Sequence, residues 1–264
     1  MRIPLRQPRP TGPGHTMSLL DHLAELRVRI LRSLAVVLVG SIIAFVLFEP
    51  IFRWLADPFC SLPLDVRQTL SEQECFTAKG IDGAFTFRLR TSLLVGVVAA
   101  SPFWLFQLWA FLAPALHRRE RRWSYAFAAV GGPLFLVGAW TAYLVLEKAF
   151  VFLLGFTPGV ATNMVDLNDY ITWVTALTMI FGVSFEAPLL IVMLNAVDVL
   201  RASALVRGRR ITYVLLSLYA AVVTPGQDLV SALALFVPLV VLFELSVLWC
   251  KVADRRRGVA NQPV

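Results

Sequence analysis

The amino-acid sequence predicts an all-α polytopic membrane protein. It is expected to have six transmembrane helices, both termini in the cytoplasm, and a short last pair of helices. Three observations carry that expectation. Hydrophobic residues make up 58% of the 264 and charged residues only 16%, with a mean hydropathy of +0.73, beyond the range of a soluble domain. Six apolar runs recur along the chain, and six spans of ~20 residues would use roughly half of it, so no separate soluble domain fits. If those spans alternate in direction, 18 of the 24 Lys and Arg fall on the side of the termini and 6 on the other. The positive-inside rule makes the richer side cytoplasmic. The net charge of +7 then follows from topology and from attraction to anionic lipid, without any nucleic acid.

Residues Met1–Thr16 carry Arg2, Arg6 and Arg9, four prolines and no acid. Residues 1–17 are therefore read as a disordered cationic tail, followed by a membrane domain over 18–250 and a basic tail over 251–264. The first helix starts near Leu19 and runs to Phe48. On its approach Leu19, Leu23, Leu26 and Ile30 share one face, and Asp21, His22, Glu25, Arg29 and Arg32 the opposite one, with Arg27 near the apolar edge. A polar stretch, Glu49–Arg90, separates it from the second span, Thr91–Leu116, which Pro102 and Pro114 interrupt. The third is Trp123–Leu146, the fourth Tyr170–Val197, the fifth Ile211–Val223 and the sixth Leu229–Trp249. The fifth holds 13 residues and the sixth 15 before Glu244. Each falls short of the ~30 Å hydrocarbon core, so the pair is expected to thin the bilayer or to snorkel at its ends. Pro50, Pro58, Pro102, Pro133, Pro188 and Pro238 predict bent helices and a shaped, rigid scaffold.

Several polar residues invite a functional reading beside a plain one. Glu25 is spaced to pair with Arg29 at i,i+4 on an interfacial helix. Glu120 sits among Arg118, Arg119, Arg121 and Arg122 at the start of the third helix, where a carboxylate favours the helix dipole; it is equally a reader of cationic peptides. Glu186 falls midway in an apolar span, two residues before Pro188, and a lone carboxylate there should face a cavity, a partner or a structural hydrogen bond. Gln107 is also within a span. Asp228 follows Thr224-Pro225-Gly226 and is placed to N-cap the sixth helix. Cys60 and Cys75 share the first external loop and are either free thiols or a disulfide, the latter closing a loop worth ~3 kcal/mol.

No His-Glu-x-x-His, Gly-x-Ser-x-Gly or P-loop occurs, and three scattered cysteines make no redox or zinc site. The chain is not expected to be an enzyme or to hold a metal or cofactor. A small-molecule or proton-coupled secondary transporter, with Glu186 as its binding carboxylate, is the rival reading. No inverted repeat supports it.

Five strings occur together and in order: His22-Leu-Ala-Glu-Leu-Arg27; Gln107-Leu-Trp-Ala-Phe-Leu-Ala-Pro114 with Glu120-Arg-Arg122; Phe181-Gly-Val-Ser-Phe-Glu-Ala-Pro188; Thr224-Pro-Gly-Gln-Asp228; and Phe243-Glu244. From about Ser18 to Lys251 the chain resembles the TatC family, the membrane receptor component of the twin-arginine protein translocase. The resemblance implies a receptor and scaffold that binds Arg-Arg signal peptides of folded export cargo at the cytoplasmic face. It also implies TatA-type and TatB-type single-span partners in a multimeric complex, and transport driven by the proton-motive force. Glu25, Arg27, Phe111 and Glu120 match family positions for signal-peptide binding. Glu186 matches a residue lining a concave polar groove, which Gln107 would help to line, and Asp228 one that acts after binding. This sequence has Gly226 where the family often has a second proline. The lack of a transit-peptide pattern favours a bacterial plasma membrane over a thylakoid.

Overall fold

The computed structural model describes residues 19–63, 75–112, 121–158 and 164–258. Helices are the regular structure throughout them, apart from one isolated parallel bridge between Thr77 and Asp166. The order is α1 (Leu19–Val46), α2 (Phe48–Cys60), α3 (Gly83–Ala99), α4 (Ser101–Leu112), α5 (Arg121–Leu154), α6 (Leu167–Ser184), α7 (Ala187–Ala196), α8 (Ala202–Val223), a 3-10 turn (Pro225–Gln227) and α9 (Leu229–Arg256). The tail expected over residues 1–17 lies outside the described residues. At the other end, Lys251–Arg256 continues α9 as helix where a tail was expected.

Helix breaks follow the prolines, and side chains donate to backbone carbonyls near several of these prolines. Between α1 and α2, Pro50 lacks the N–H that would continue the ladder. Arg88 caps the end of α1: its Nη2 donates to the Phe45 carbonyl at 2.9 Å, with the guanidinium 4.6 Å from the Phe45 ring centroid. A cation there also suits the negative end of the helix. Pro58 inside α2 leaves the Trp54 carbonyl without its N–H donor. The Tyr143 hydroxyl supplies one at 3.0 Å, and the two rings stack 4.2 Å apart. Buried Tyr170 donates to the neighbouring Leu55 carbonyl at 2.6 Å. These bonds tie α2, which buries Leu55, Ala56, Pro58 and Phe59, across the ends of α5 and α6.

The second expected span is a bent pair, α3 and α4, meeting at 56°. Pro102 is two residues past the break, and the Trp104 indole donates to the Val97 carbonyl at 3.0 Å, which keeps a polar group from being stranded in hydrocarbon. The pair begins at Gly83 rather than Thr91, and the stretch read as polar contains all of α2 but its first residue and the start of α3. The fourth span breaks likewise at Phe185–Glu186, with Pro188 in the first turn of α7. The third is longer than expected, Arg121–Leu154.

The main core is built from Phe59, Phe87, Leu146, Tyr170, Leu177, Phe181 and Leu235, contributed by α2, α3, α5, α6 and α9. α1 lies along α3 and α4, and α8 along α9. Leu34, Leu38 and Ile42 of α1 and Val214, Leu218 and Val222 of α8 remain exposed, as lipid-facing side chains do.

Among the described residues, four helical segments are long and apolar enough to cross a bilayer, within α1, α5, α6 with α7, and α9, or five if the bent α3–α4 pair counts as one span. α8 is not among them, although it has 22 residues, because Arg207, Arg209 and Arg210 occupy its first half. The expected shortness of the last helix is overturned. α9 runs 28 residues without interruption, because Glu244 is neutralised in place: Arg209 Nη2 lies 2.6 Å from one of its oxygens and the Tyr213 hydroxyl 2.5 Å from the other.

Candidate functional site

Polar groups gather where the first turns of α1 meet the end of α4. Glu25 and Arg29 are one helical turn apart, and Arg29 donates to Glu25 Oε1 through Nη2 at 2.5 Å and Nε at 3.1 Å. Both donors converge on a single oxygen. Glu25 Oε2 is buried and has no hydrogen-bond partner among the described residues. From α4, Gln107 Oε1 accepts from Arg29 Nη1 at 3.4 Å. One turn nearer the start of α1 and the end of α4, His22 stacks on Phe111 with ring centroids 4.3 Å apart and planes within 17°. The side chains of Arg29 and Glu25 are 18% and 19% exposed, so water reaches them but screens them only in part.

The i,i+4 pair expected from the sequence is thus present, but it is a tertiary cluster, because α4 supplies Gln107 and the stacking ring. Gln107 faces α1. Arg27 is exposed on α1. Glu120 lies outside the described residues, as do Pro114 and His117. His22 and Arg29 were not singled out as site residues; their face on the helical wheel was visible, and their partner on α4 was not.

Glu186 occupies a second station, at the junction of α6 and α7. Its Oε2 accepts from Trp109 Nε1 at 3.1 Å, while Oε1 is buried without a partner among the described residues. Gly131 of α5 makes room for this bond. A Cβ there would lie 2.8 Å from Trp109 Nε1 and 3.1 Å from Glu186 Oε2. Gln107 and Trp109 are two positions apart on α4, hence on different faces, so Gln107 and Glu186 bond to different elements. A cavity of about 510 Å³ opens between α2, α3, α5 and α6, walled by apolar side chains including Leu94, Val98, Trp140 and Val174. Neither Glu186 nor Gln107 lines it.

Asp228 is at the opposite end of α9. It is buried and N-caps the helix, accepting from Ser231 N at 2.6 Å. Gly226 precedes it at φ 80°, a conformation closed to proline, which accounts for glycine at this position. Cys60 and Cys75 are joined as a disulfide with Cα atoms 5.4 Å apart, and the backbone of Thr77, two residues beyond Cys75, bonds to Val165 and Leu167. α2 is thereby linked to the start of α6.

A sequence model described as Sec-independent protein translocase protein (TatC) matches residues 21–238. A TatC protein of Frankia casuarinae is 42% identical over 91% of this chain and 67% of its own length. One of Corynebacterium kroppenstedtii is 38% identical over 93% of this chain and 64% of its own length. The chain thus spans about two thirds of the length of these two relatives. An Aquifex aeolicus TatC protein is 33% identical over 91% of this chain and 98% of its own length. A crystal structure of the twin arginine translocase receptor TatC superposes with a TM-score of 0.68 at 32% identity, covering 88% of this chain and 99% of that one.

Proposed function

The chain belongs to the TatC family of Sec-independent protein translocase proteins, and from that premise we propose that it is the receptor and scaffold subunit of a twin-arginine translocase. In this reading it is a transport component and not an enzyme. It binds Arg-Arg signal peptides at the cytoplasmic face of a bacterial plasma membrane. Both termini lie on that face and the chain crosses six times, with α8 as the shortest apolar span. Single-span subunits of the TatA and TatB type assemble around it in a multimeric complex, and the proton-motive force drives export of folded cargo.

The observation that carries the reading is the Glu25 carboxylate: one oxygen held by a guanidinium, the other buried and without a partner among the described residues. Its own chain already demonstrates the ligand type. A planar guanidinium presents two N–H groups in the geometry a carboxylate accepts, whereas an ammonium is a point donor. His22 against Phe111 holds α1 on α4, which fixes the carboxylate's position. Glu120 supplies the second carboxylate in this proposal, and Arg27, exposed beside Glu25, contacts the rest of the peptide. Glu186 and Gln107 contact cargo or partner helices, and Asp228 acts after binding.

The secondary-transporter alternative is not favoured. Glu186 bonds to Trp109 of its own chain, and the apolar cavity between α2, α3, α5 and α6 has no carboxylate in its wall.

The test is photo-crosslinking from position 111 of the purified protein, with Glu25 intact, to a synthetic signal peptide. Arg-Arg peptide is expected to crosslink and Lys-Lys peptide to be lost. Glu25→Ala and Glu120→Ala should each weaken binding, by about tenfold for one charge-assisted hydrogen bond of ~1.5–3 kcal/mol partly screened by water. Unchanged affinity in the double variant defeats the assignment.

A further inference from the structure

We propose that the apolar cavity between α2, α3, α5 and α6 binds one acyl chain of a phospholipid whose zwitterionic phosphoethanolamine headgroup rests on α2. The inference goes beyond the signal-peptide reading and is independent of it, because no residue of the α1–α4 cluster lines the cavity.

The acyl chain follows from the wall and the volume. Among the described residues that line the cavity, only Thr178, Tyr143, Trp54 and Trp140 carry a polar side-chain atom, and Tyr143 spends its hydroxyl on the Trp54 carbonyl. Water finds too few partners in such a space, which stays dry, and an empty cavity forfeits the dispersion contacts of its lining. Trp54, Val137 and Trp140 at its mouth are 50%, 54% and 52% exposed. For a chain that spans a bilayer, the molecules facing that mouth are lipids, and an acyl chain enters from hydrocarbon with no water to shed. Size separates the chain from a helix. A helix is about 10–12 Å across with a pitch of 5.4 Å, so the 510 Å³ cavity admits little more than one turn. A methylene takes up about as much space as a water in the liquid, ~30 Å³, so the same 510 Å³ matches a single chain of roughly 17 carbons.

The headgroup follows from what stands at the mouth. The Trp54 ring stacks 4.2 Å from Tyr143 and 6.2 Å from Trp140, and such amphipathic rings sit at the headgroup level of a bilayer. No described residue accepts from the indole N–H of Trp54 or Trp140, so both are available to lipid ester oxygens. On α2, Arg53 and Asp57 flank Trp54 one turn apart, and both are exposed. Neither joins an ion pair among the described residues. Glu49, also exposed, stands one turn before Arg53, while Glu147 and Lys148 beyond Tyr143 on α5 add no net charge. A phosphate on Arg53 and an ammonium on Asp57 match both charges of phosphoethanolamine, with N–H donors for the carboxylate. An anionic headgroup meets two carboxylates around one guanidinium. A choline headgroup brings the positive charge but no N–H. In the proposed orientation the site faces the outer leaflet.

The experiment places the full chain in phosphocholine nanodiscs doped with a phospholipid bearing a diazirine in its acyl chain, and maps the photo-adducts by mass spectrometry. Three probes differ only in headgroup: phosphoethanolamine, phosphoglycerol and phosphocholine. Leu94, Leu146 and Val174 line the cavity and are buried, whereas Leu218 on α8 is exposed and reports contact with bulk lipid. The phosphoethanolamine probe is expected to label the three buried residues. Relative to Leu218 it should do so about threefold more than either other probe, the effect of one partly screened charge pair. Ala99→Phe and Val137→Trp put a ring into the wall and the mouth and should abolish that labelling with Leu218 unchanged; both positions are exposed, and either variant suffices if the other does not fold. Asp57→Asn should bring the three probes level. Absence of adducts at all three buried residues overturns the inference, as does labelling that the ring variants leave intact. Equal labelling by the three probes in wild type overturns the headgroup assignment. A diazirine-bearing Arg-Arg signal peptide that labels the same buried residues in place of lipid makes a peptide the occupant and overturns it too.

Discussion

Trp109→Phe removes one proton donor from the interior of the bundle and leaves a ring in its place. Trp109 is buried, 5% exposed, and its indole N–H is the donor to Glu186 Oε2 at 3.1 Å. Oε1 already has no partner among the described residues, so the substitution leaves the whole side-chain carboxyl unbonded to them. Hydrogen bonds to charged groups contribute about 1.5–3 kcal/mol in soluble proteins, but interhelical bonds within membranes average ~0.6 and reach ~1.7. An otherwise unpaired group belongs near the top of the membrane range, so a coupling of about 1–1.5 kcal/mol is expected. The smaller ring also loses packing against α5, so the single variant mixes two effects. A double-mutant cycle with Glu186→Met separates them, because the packing loss is common to both arms. The measurement is reversible unfolding in mixed dodecyl maltoside and SDS micelles, followed by circular dichroism. Gly131→Ala, whose new Cβ would press on both bonded atoms, should remove most of the same coupling. A coupling within the ~0.3–0.5 kcal/mol of independent sites refutes the reasoning, and Glu186 then has no structural hold on α4.

At the other end of the molecule, Asp228→Ala should cost about 0.5–2 kcal/mol through loss of the α9 cap, and Asp228→Asn much less, because the amide oxygen still accepts from Ser231 N. Stability equal to wild type in the alanine variant would show that the cap contributes nothing; export lost in a fully stable asparagine variant would assign the role to the charge. Cys60→Ser should lower stability by ~3 kcal/mol, the chain-entropy value for the 15-residue separation. The check is chemical unfolding with and without reductant. Wild type and variant should coincide once the bond is reduced, and coincidence without reductant would mean that the bond constrains nothing.

The helices were legible because apolar length and proline position act locally. Pro102 and Pro188 announced both breaks, each lying a few residues past the last residue of the preceding helix. Span ends were less legible, since α2 and the first turns of α3 mix charge with buried aromatics such as Phe59 and Phe87. Glu244 misled: read alone it interrupts a span, yet Arg209 and Tyr213, more than 30 residues away, make it compatible with a continuous helix. At the candidate site, Glu25 and Arg29 were legible as an i,i+4 pair, but the roles of Gln107 and of His22 against Phe111 depend on α1 crossing α4.

By itself, then, the sequence determined an all-helical chain for the bilayer, because hydrophobic length and proline geometry are properties of short segments, and its ordered motifs determined the family. Only the tertiary structure decided which polar groups meet. Trp109 with Glu186, 77 residues apart, and Arg29 with Gln107, 78 apart, are paired by helix crossings. In a low-dielectric core, those crossings bring carboxylates and arginines to partners that no local pattern identifies.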